Sequence, residues 1–173
     1  VMNAGNLESF RVRGGSITVD GAGLDTSTAD YTNILTRALQ VNAGIWAKEL
    51  QVATGSTNIS ASGTSGAAPF TASAHPSAAT GTTPTYALDV ASIGGMYAGK
   101  IHLIGTEAGL GIRNAGTIGA SSGDVTVTND GWISNTGSVY ATGNTALTAQ
   151  GNISNTGTGL IAAGGNTTVA AQG

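Results

Sequence analysis

The chain of 173 residues is long enough for one domain or a piece of a longer one, and only 9% of its residues are charged and 5% aromatic. A formal net charge of −3, with six lysines and arginines, argues against nucleic-acid binding, which needs a basic surface. The absence of cysteine excludes disulfides and thiolate metal sites, and no apolar run approaches the ~20 residues that span a bilayer.

Short β-strands between glycine and asparagine turns are the structure that this composition favours. Glycine occupies 28 positions, and the aromatics are too few for a large aromatic core. In the first part of the chain, residues 10–12 and 17–19 alternate apolar with polar side chains, which predicts strands with one buried face. Because the chain starts at Val1 rather than methionine, we expect its N-terminus to be a cut end.

Residues 34–50 fit two patterns. Ile34, Ala38 and Leu39 could lie on one stripe of a helix, whereas the side chains of residues 39–45 alternate as in a strand. We favour strands because Gly44 interrupts the helical pattern and the alternation continues further along the chain.

Residues 55–85 differ in character from the rest. They are rich in serine, threonine, alanine and glycine, contain all three prolines (Pro69, Pro76 and Pro84) and carry no charge. A loop of this length is usually functional, so we expect a surface excursion with room for a hairpin. Alternation then returns at residues 101–104, where His102 should face solvent.

An internal repeat of about 20 residues fills the last third of the chain. Its first landmark is Ile-x-Asn-x-Gly followed by an aliphatic residue, with asparagines at 114, 135 and 155. Its second landmark is Gly-x-x-x-aliphatic, beginning at glycines 123, 143 and 165. Successive asparagines lie 21 and 20 residues apart, so each unit holds two short strands separated by turns.

Units this short cannot bury their own apolar faces, so they must stack. We predict an all-β parallel β-helix whose coils of about 20 residues pair at roughly 4.8 Å. Asparagine at a fixed turn tolerates a left-handed backbone and can form side-chain ladders between coils, and glycine beside it supplies positive φ. The predicted structural turn residues are Asn114, Gly116, Asn135, Gly137, Asn155 and Gly157.

Motifs with catalytic or metal-binding chemistry are weak in this sequence. Residues 119–123 match the Gly-x-Ser-x-Gly nucleophile elbow, but that motif needs a following helix and a positioned histidine, and only His75 and His102 exist. Residues 21–25 match one incomplete calcium-binding nonapeptide, a site that needs consecutive copies. We therefore predict no catalytic residue, no cofactor and no metal site.

The remaining side chains of interest have structural interpretations. The nine acidic residues are scattered, and we expect Asp89 to cap a turn or to pair with arginine or lysine. Trp132 and Tyr140 flank the repeat units, where packing on the stack is favoured over contact with a receptor. Possible N-glycosylation acceptors are Asn58, Asn152 and Asn166.

Residues 86–114 resemble a known family. This run, which includes Gly94-Gly-Met-Tyr-Ala-Gly99 and Ile101-His-Leu-Ile104, is similar to the end of the secretion domain of filamentous haemagglutinin and CdiA-type exoproteins, which are exported by two-partner secretion. Residues 5–19 and 37–43 resemble earlier parts of that domain, and the repeat units resemble the first haemagglutinin repeats of the shaft. The family's N-terminal cap and usual Asn-Pro-Asn-Gly segment are not in this sequence.

The resemblance implies a right-handed parallel β-helix that passes through an outer-membrane partner pore to the bacterial surface. It divides the chain into 1–111, the later part of a secretion domain with the 55–85 excursion, and 112–173, haemagglutinin-type repeats. The implied function is a shaft for an adhesin or a contact-dependent toxin, in which other regions bind a receptor on a host or neighbouring cell. Because the sequence stops inside a repeat, we expect the shaft to continue beyond Gly173.

Two alternatives remain open from the sequence. Unpaired strand edges at both ends would suit a filament subunit that self-associates end to end. A β-helical enzyme that cleaves glycans would instead need clustered acidic residues in a groove.

Overall fold

A six-stranded parallel sheet forms one side of the molecule. The computed structural model describes residues 1–61 and 70–173, and its regular structure is almost entirely β-strand. Within those residues no helix is long and apolar enough to cross a membrane. The strands of this sheet, in spatial order, are β4 (Ser16–Val19), β7 (Ala38–Val41), β11 (Tyr86–Val90), β13 (Gly111–Asn114), β16 (Ile133–Asn135) and β19 (Ile153–Asn155).

A ten-stranded parallel sheet completes the stack. Two of its strands, β8 (Gly44–Thr54) and β12 (Gly95–Gly105), are eleven residues long, and each pairs with two shorter strands on the same side. Its members are β5 (Leu24–Thr26), β6 (Thr32–Leu35), β8 (Gly44–Thr54), β12 (Gly95–Gly105), β14 (Thr117–Ala120), β15 (Val125–Asn129), β17 (Ser138–Ala141), β18 (Thr145–Ala149), β20 (Leu160–Ala163) and β21 (Thr167–Ala171).

Each coil contributes one segment to the six-stranded sheet and two to the ten-stranded sheet, and then pairs in parallel with the coil before it. The predicted all-β parallel β-solenoid is therefore confirmed, as is the preference for strands over a helix at residues 34–50. The alternation of apolar and polar residues made these predictions possible, because residues at every second position of a strand point into the space that the coils enclose.

Like side chains lie above one another inside the coils. Leu39, Leu88, Ile112 and Ile133 are in register in the six-stranded sheet, and each is at most 3% exposed. Burying a side chain of this size contributes about 1.5–3 kcal/mol. The core is thus a set of aliphatic columns, which explains how a chain with so few aromatic residues forms a dry interior.

Two small antiparallel sheets lie outside the parallel stack. Strands β1 (Met2–Asn3) and β2 (Asn6–Leu7) pair with each other. Strand β9 (Thr57–Ser60) pairs with β3 (Ser9–Val12) and with β10 (Ala72–Ala74), and a 3₁₀ turn follows at Pro76–Ala78. Within the predicted excursion at 55–85, residues 57–60 and 72–74 thus pair in the antiparallel manner of a hairpin, while Pro69 lies outside the described residues.

Candidate functional site

The predicted turn asparagines form a ladder inside the stack. The side-chain amide of Asn114 donates to Oδ1 of Asn135 at 2.8 Å, and that of Asn135 donates to Oδ1 of Asn155 at 2.7 Å. Asn135 is fully buried and also donates to the backbone carbonyl oxygens of Gly137 and Leu160, both at 3.2 Å. Each coil of the repeat region is therefore tied to the next through its interior.

The ladder starts at Asn114 because the preceding coils carry valine at the same position. Val19, Val41 and Val90 are in register below Asn114, so one interior column changes from apolar to amide there. Oδ1 of Asn114 is buried and has no hydrogen-bond partner among the described residues. The change from valine to asparagine thus lies in the strand that contains the predicted domain boundary between residues 111 and 112. The boundary stays a prediction.

We expected a left-handed backbone, with positive φ, at these turns. This expectation is wrong except at Gly157. Among the described residues only Ala4 and eight glycines have positive φ, and Gly116, Gly137 and the ladder asparagines are not among them. A Cβ on Gly116 would instead overlap the carbonyl oxygen of Gly94, and one on Gly137 would overlap that of Gly116. Close approach of consecutive coils, rather than backbone conformation, requires glycine at these two positions.

Gly137→Ala is expected to lower the free energy of unfolding by about 1–3 kcal/mol, because the added methyl must push two coils apart. Gly123→Ala is the matched control, since its Cβ would meet no atom closer than the carbonyl oxygen of Gly99 at 3.4 Å. Urea unfolding followed by circular dichroism compares the two variants. Equal losses of unfolding free energy in the two variants would contradict the explanation that close approach of the coils requires glycine at 137.

A buried ion pair that sequence reasoning missed ties the 55–85 segment to the stack. Arg37 donates from Nε and Nη2 to the two carboxylate oxygens of Glu107 at 3.0 and 2.7 Å, and the two side chains are 4% and 9% exposed. The backbone N–H of Ser56 donates to the same carboxylate at 3.1 Å, and Nη1 of Arg37 donates to the carbonyl oxygens of Thr80 and Thr82 at 2.9 and 3.3 Å. We call these five residues the Arg37 anchor.

Hydrogen bonding within the Arg37 anchor lowers the pKa of Glu107 and raises that of Arg37, so both groups stay charged. For Glu107 the bond from Arg37 is the largest cause, and burial opposes it. Arg37 and Glu107 are 70 residues apart and follow no repeat, so no periodic signal could have found the pair.

The expectation that His102 faces open solvent is wrong. Phe70 packs edge-on against its ring, with centroids 6.3 Å apart, and the N–H of Phe70 donates to the side chain of buried Gln51 at 3.0 Å. This burial lowers the pKa of His102, with nearby Lys100 as a smaller cause. The side chain does lie on the outer face of β12, but Phe70 covers it.

Asp89 pairs with arginine, as expected. Its carboxylate accepts from Nε and Nη2 of Arg113 at 2.8 and 2.7 Å. The guanidinium also lies 4.5 Å from the ring centroid of Tyr86, which packs edge-on against Trp132 at 5.8 Å. These outward side chains sit on the six-stranded sheet.

The candidate catalytic and metal motifs remain isolated. Ser121 and Ser122 of the elbow-like run donate to the carbonyl oxygens of Ala98 and Gly99, both at 3.3 Å. Asp25 of the nonapeptide-like run is exposed and accepts from the N–H of Ser27 at 2.9 Å. Across residues 1–61 and 70–173, no three histidine or acidic side chains are grouped as metal ligands would be.

The chain is similar to a family of secretion domains and to several bacterial toxins. Residues 1–135 match the family model described as the TPS secretion domain. The chain is 41% identical over 171 residues, or 96% of its length, to "Toxin CdiA" of Yersinia pestis, and 43% identical over 127 residues, or 73%, to "tRNA nuclease CdiA-2" of Burkholderia pseudomallei. It spans only about 5% and 4% of the lengths of these relatives.

A solved structure shares the fold. The crystal structure of the filamentous haemagglutinin secretion domain superimposes with a TM-score of 0.76, covering 98% of this chain and 56% of that one at 24% sequence identity. This match supports the parallel β-solenoid fold of the chain.

Proposed function

We propose a function from the premise that this chain belongs to the TPS secretion domain family: it is the segment that directs a large bacterial exoprotein through two-partner secretion. After export it forms coils of a β-solenoid shaft on the cell surface. The observation that carries the proposal is the family match over residues 1–135, together with 41% identity over 171 residues to a CdiA toxin.

Export as an unfolded chain suits this architecture. Each coil hydrogen-bonds to the coil that precedes it in sequence, so coils can add in order as the chain emerges. Without cysteine, no disulfide can lock the chain before it passes a pore. The proposed partner during export is the outer-membrane transporter of a two-partner system.

The segment itself is proposed to be a non-enzymatic support. Relatives carry names such as "tRNA nuclease CdiA" and "16S rRNA endonuclease CdiA", yet the chain matches only 5% of their lengths. We assign any toxic activity, and any binding of a receptor on a neighbouring cell, to other regions of the parent protein. Among its two proposed uses, the CdiA names favour a toxin shaft over an adhesin shaft.

Secretion in a reconstituted system tests the proposal. The chain, preceded by a cleavable export signal and carrying an epitope tag, is expressed with or without its cognate transporter, the outer-membrane partner of the parent exoprotein. We expect the tagged chain at the cell surface or in the medium only when the transporter is present. An unrelated domain behind the same signal is the control; equal release of both, or none of this chain with its cognate transporter, would overturn the proposal.

A further inference from the structure

We propose that the outer face of the six-stranded sheet is a binding groove for a neutral glycan. The outward side chains of this sheet form one column in register across all six strands. We call this column and the aromatic pair beside it the polar groove; the column consists of Thr18, Gln40, Asp89, Arg113, Ser134 and Ser154. The proposal is independent of how the chain is exported.

An aromatic pair stands at the centre of the polar groove. Tyr86 and Trp132 come from coils on either side of Gly111, and their ring planes meet at 79°. The Trp132 ring lies over Gly111, in space that a side chain at 111 would occupy. Trp132 is half-buried and lines the larger of two neighbouring depressions, so its ring offers an apolar surface beside the polar column. The C–H faces of a pyranose ring pack well on such a surface.

A depression lies on each side of the aromatic pair. One, of about 320 Å³, is lined by Ser16, Thr18, Gln40, Tyr86 and Asp89 among others. The second, of about 550 Å³, is lined by Asp130, Trp132, Ser134, Gln150, Asn152 and Ser154 among others. The two together follow the column across the coils, which suits a chain of several sugar rings rather than a single small molecule.

The polar groups of the groove are available to a ligand. In the described part of the chain, the side chains of Ser134, Gln150, Asn152 and Ser154 have no hydrogen-bond partner, whereas those of the interior asparagine ladder are bonded from coil to coil. Amides and hydroxyls both donate and accept, as sugar hydroxyls do. The outer face thus matches a polyhydroxylated ligand.

Charge selects a neutral glycan over an acidic one. Asp89 and Arg113 neutralise each other through their two-fold hydrogen bond, and Asp130 is the remaining charge in the lining of the two depressions. A sulfated or phosphorylated polymer would find no unpaired cation there and would meet the Asp130 carboxylate.

Binding of neutral tetrasaccharides built from glucose, galactose, mannose or N-acetylglucosamine tests the proposal. Saturation-transfer NMR and calorimetry on the whole chain should detect at least one of them, with little dependence on salt. Trp132→Ala should weaken binding at least about tenfold. Because this variant also removes packing on Tyr86, Gln150→Ala with Asn152→Ala, both exposed, serves as the second variant and should weaken binding several-fold.

Trp46→Ala is the matched control, because Trp46 stacks on Tyr97 on the ten-stranded sheet, away from the polar groove. It should leave affinity unchanged. The proposal is overturned if no neutral tetrasaccharide binds at millimolar concentration, if sulfated or phosphorylated oligosaccharides bind instead with steep salt dependence, or if Trp46→Ala rather than Trp132→Ala abolishes binding.

Discussion

Glu107→Gln is expected to lower the free energy of unfolding by about 3–5 kcal/mol, the usual cost of breaking a buried ion pair by removing one charge. The variant leaves the guanidinium of Arg37 charged at 4% exposure, without its two carboxylate bonds. It also weakens the acceptor for the N–H of Ser56. Urea unfolding at neutral pH measures the loss.

The same pair should make stability depend on acidity in a defined window. The pKa of Glu107 is lowered from its ordinary value of 4.5, chiefly by the hydrogen bond from Arg37. Its stabilising contribution is therefore complete above pH 4.5 and is lost as the pH falls through the lower folded-state value. The difference in stability between the wild type and Glu107→Gln should narrow below pH 4.5.

Two comparisons separate the buried pair from general charge effects. Asp30→Asn removes a partner of Lys48 in a pair whose side chains are 91% and 54% exposed, and it should change stability by less than about 0.5 kcal/mol. Arg37→Leu combined with Glu107→Leu removes both buried charges and should cost less than Glu107→Gln alone. If Glu107→Gln behaves like Asp30→Asn, the Arg37 anchor does not hold the 55–85 segment.

The stacking of the repeats could be predicted from the sequence, whereas the Arg37 anchor could not. Stacking could be predicted because Ile112, Ile133 and Ile153 recur at a fixed spacing and each coil needs a neighbour to bury them. The spacing of Arg37 and Glu107 depends on the length of an irregular segment, and no local pattern encodes it. Periodicity thus predicts contacts between adjacent repeats, but not contacts made across an insertion.

Glycine in the turns shows a second limit. Its presence at 116 and 137 is equally compatible with positive φ and with close packing, because both require the absence of Cβ. Only the distance between coils distinguishes them, and Gly137 lies against the backbone of Gly116. The sequence predicted that glycine is needed at these two turns. Only the three-dimensional structure shows that close packing is the reason.

Asn135→Asp is expected to lower the free energy of unfolding by about 3 kcal/mol or more, because it places a carboxylate in a fully buried position and removes an amide donor. Oδ1 of Asn155 and the carbonyl oxygens of Gly137 and Leu160 would then face acceptors only. Asn155→Asp is the matched control, since Asn155 is exposed in this chain and should lose less than about 1 kcal/mol. Chemical denaturation of both variants measures the difference.

Extending the ladder by one coil tests whether its amides, rather than packing alone, stabilise it. Val90→Asn would place an amide donor next to the buried, unpartnered Oδ1 of Asn114, whereas Val41→Asn would place the same amide between Val19 and Val90. Since an unpaired buried amide costs about 1–3 kcal/mol, Val90→Asn should be less destabilising than Val41→Asn. Equal losses would mean that the amide bonds add nothing to stacking, and that the change from valine to asparagine at 114 has no energetic consequence.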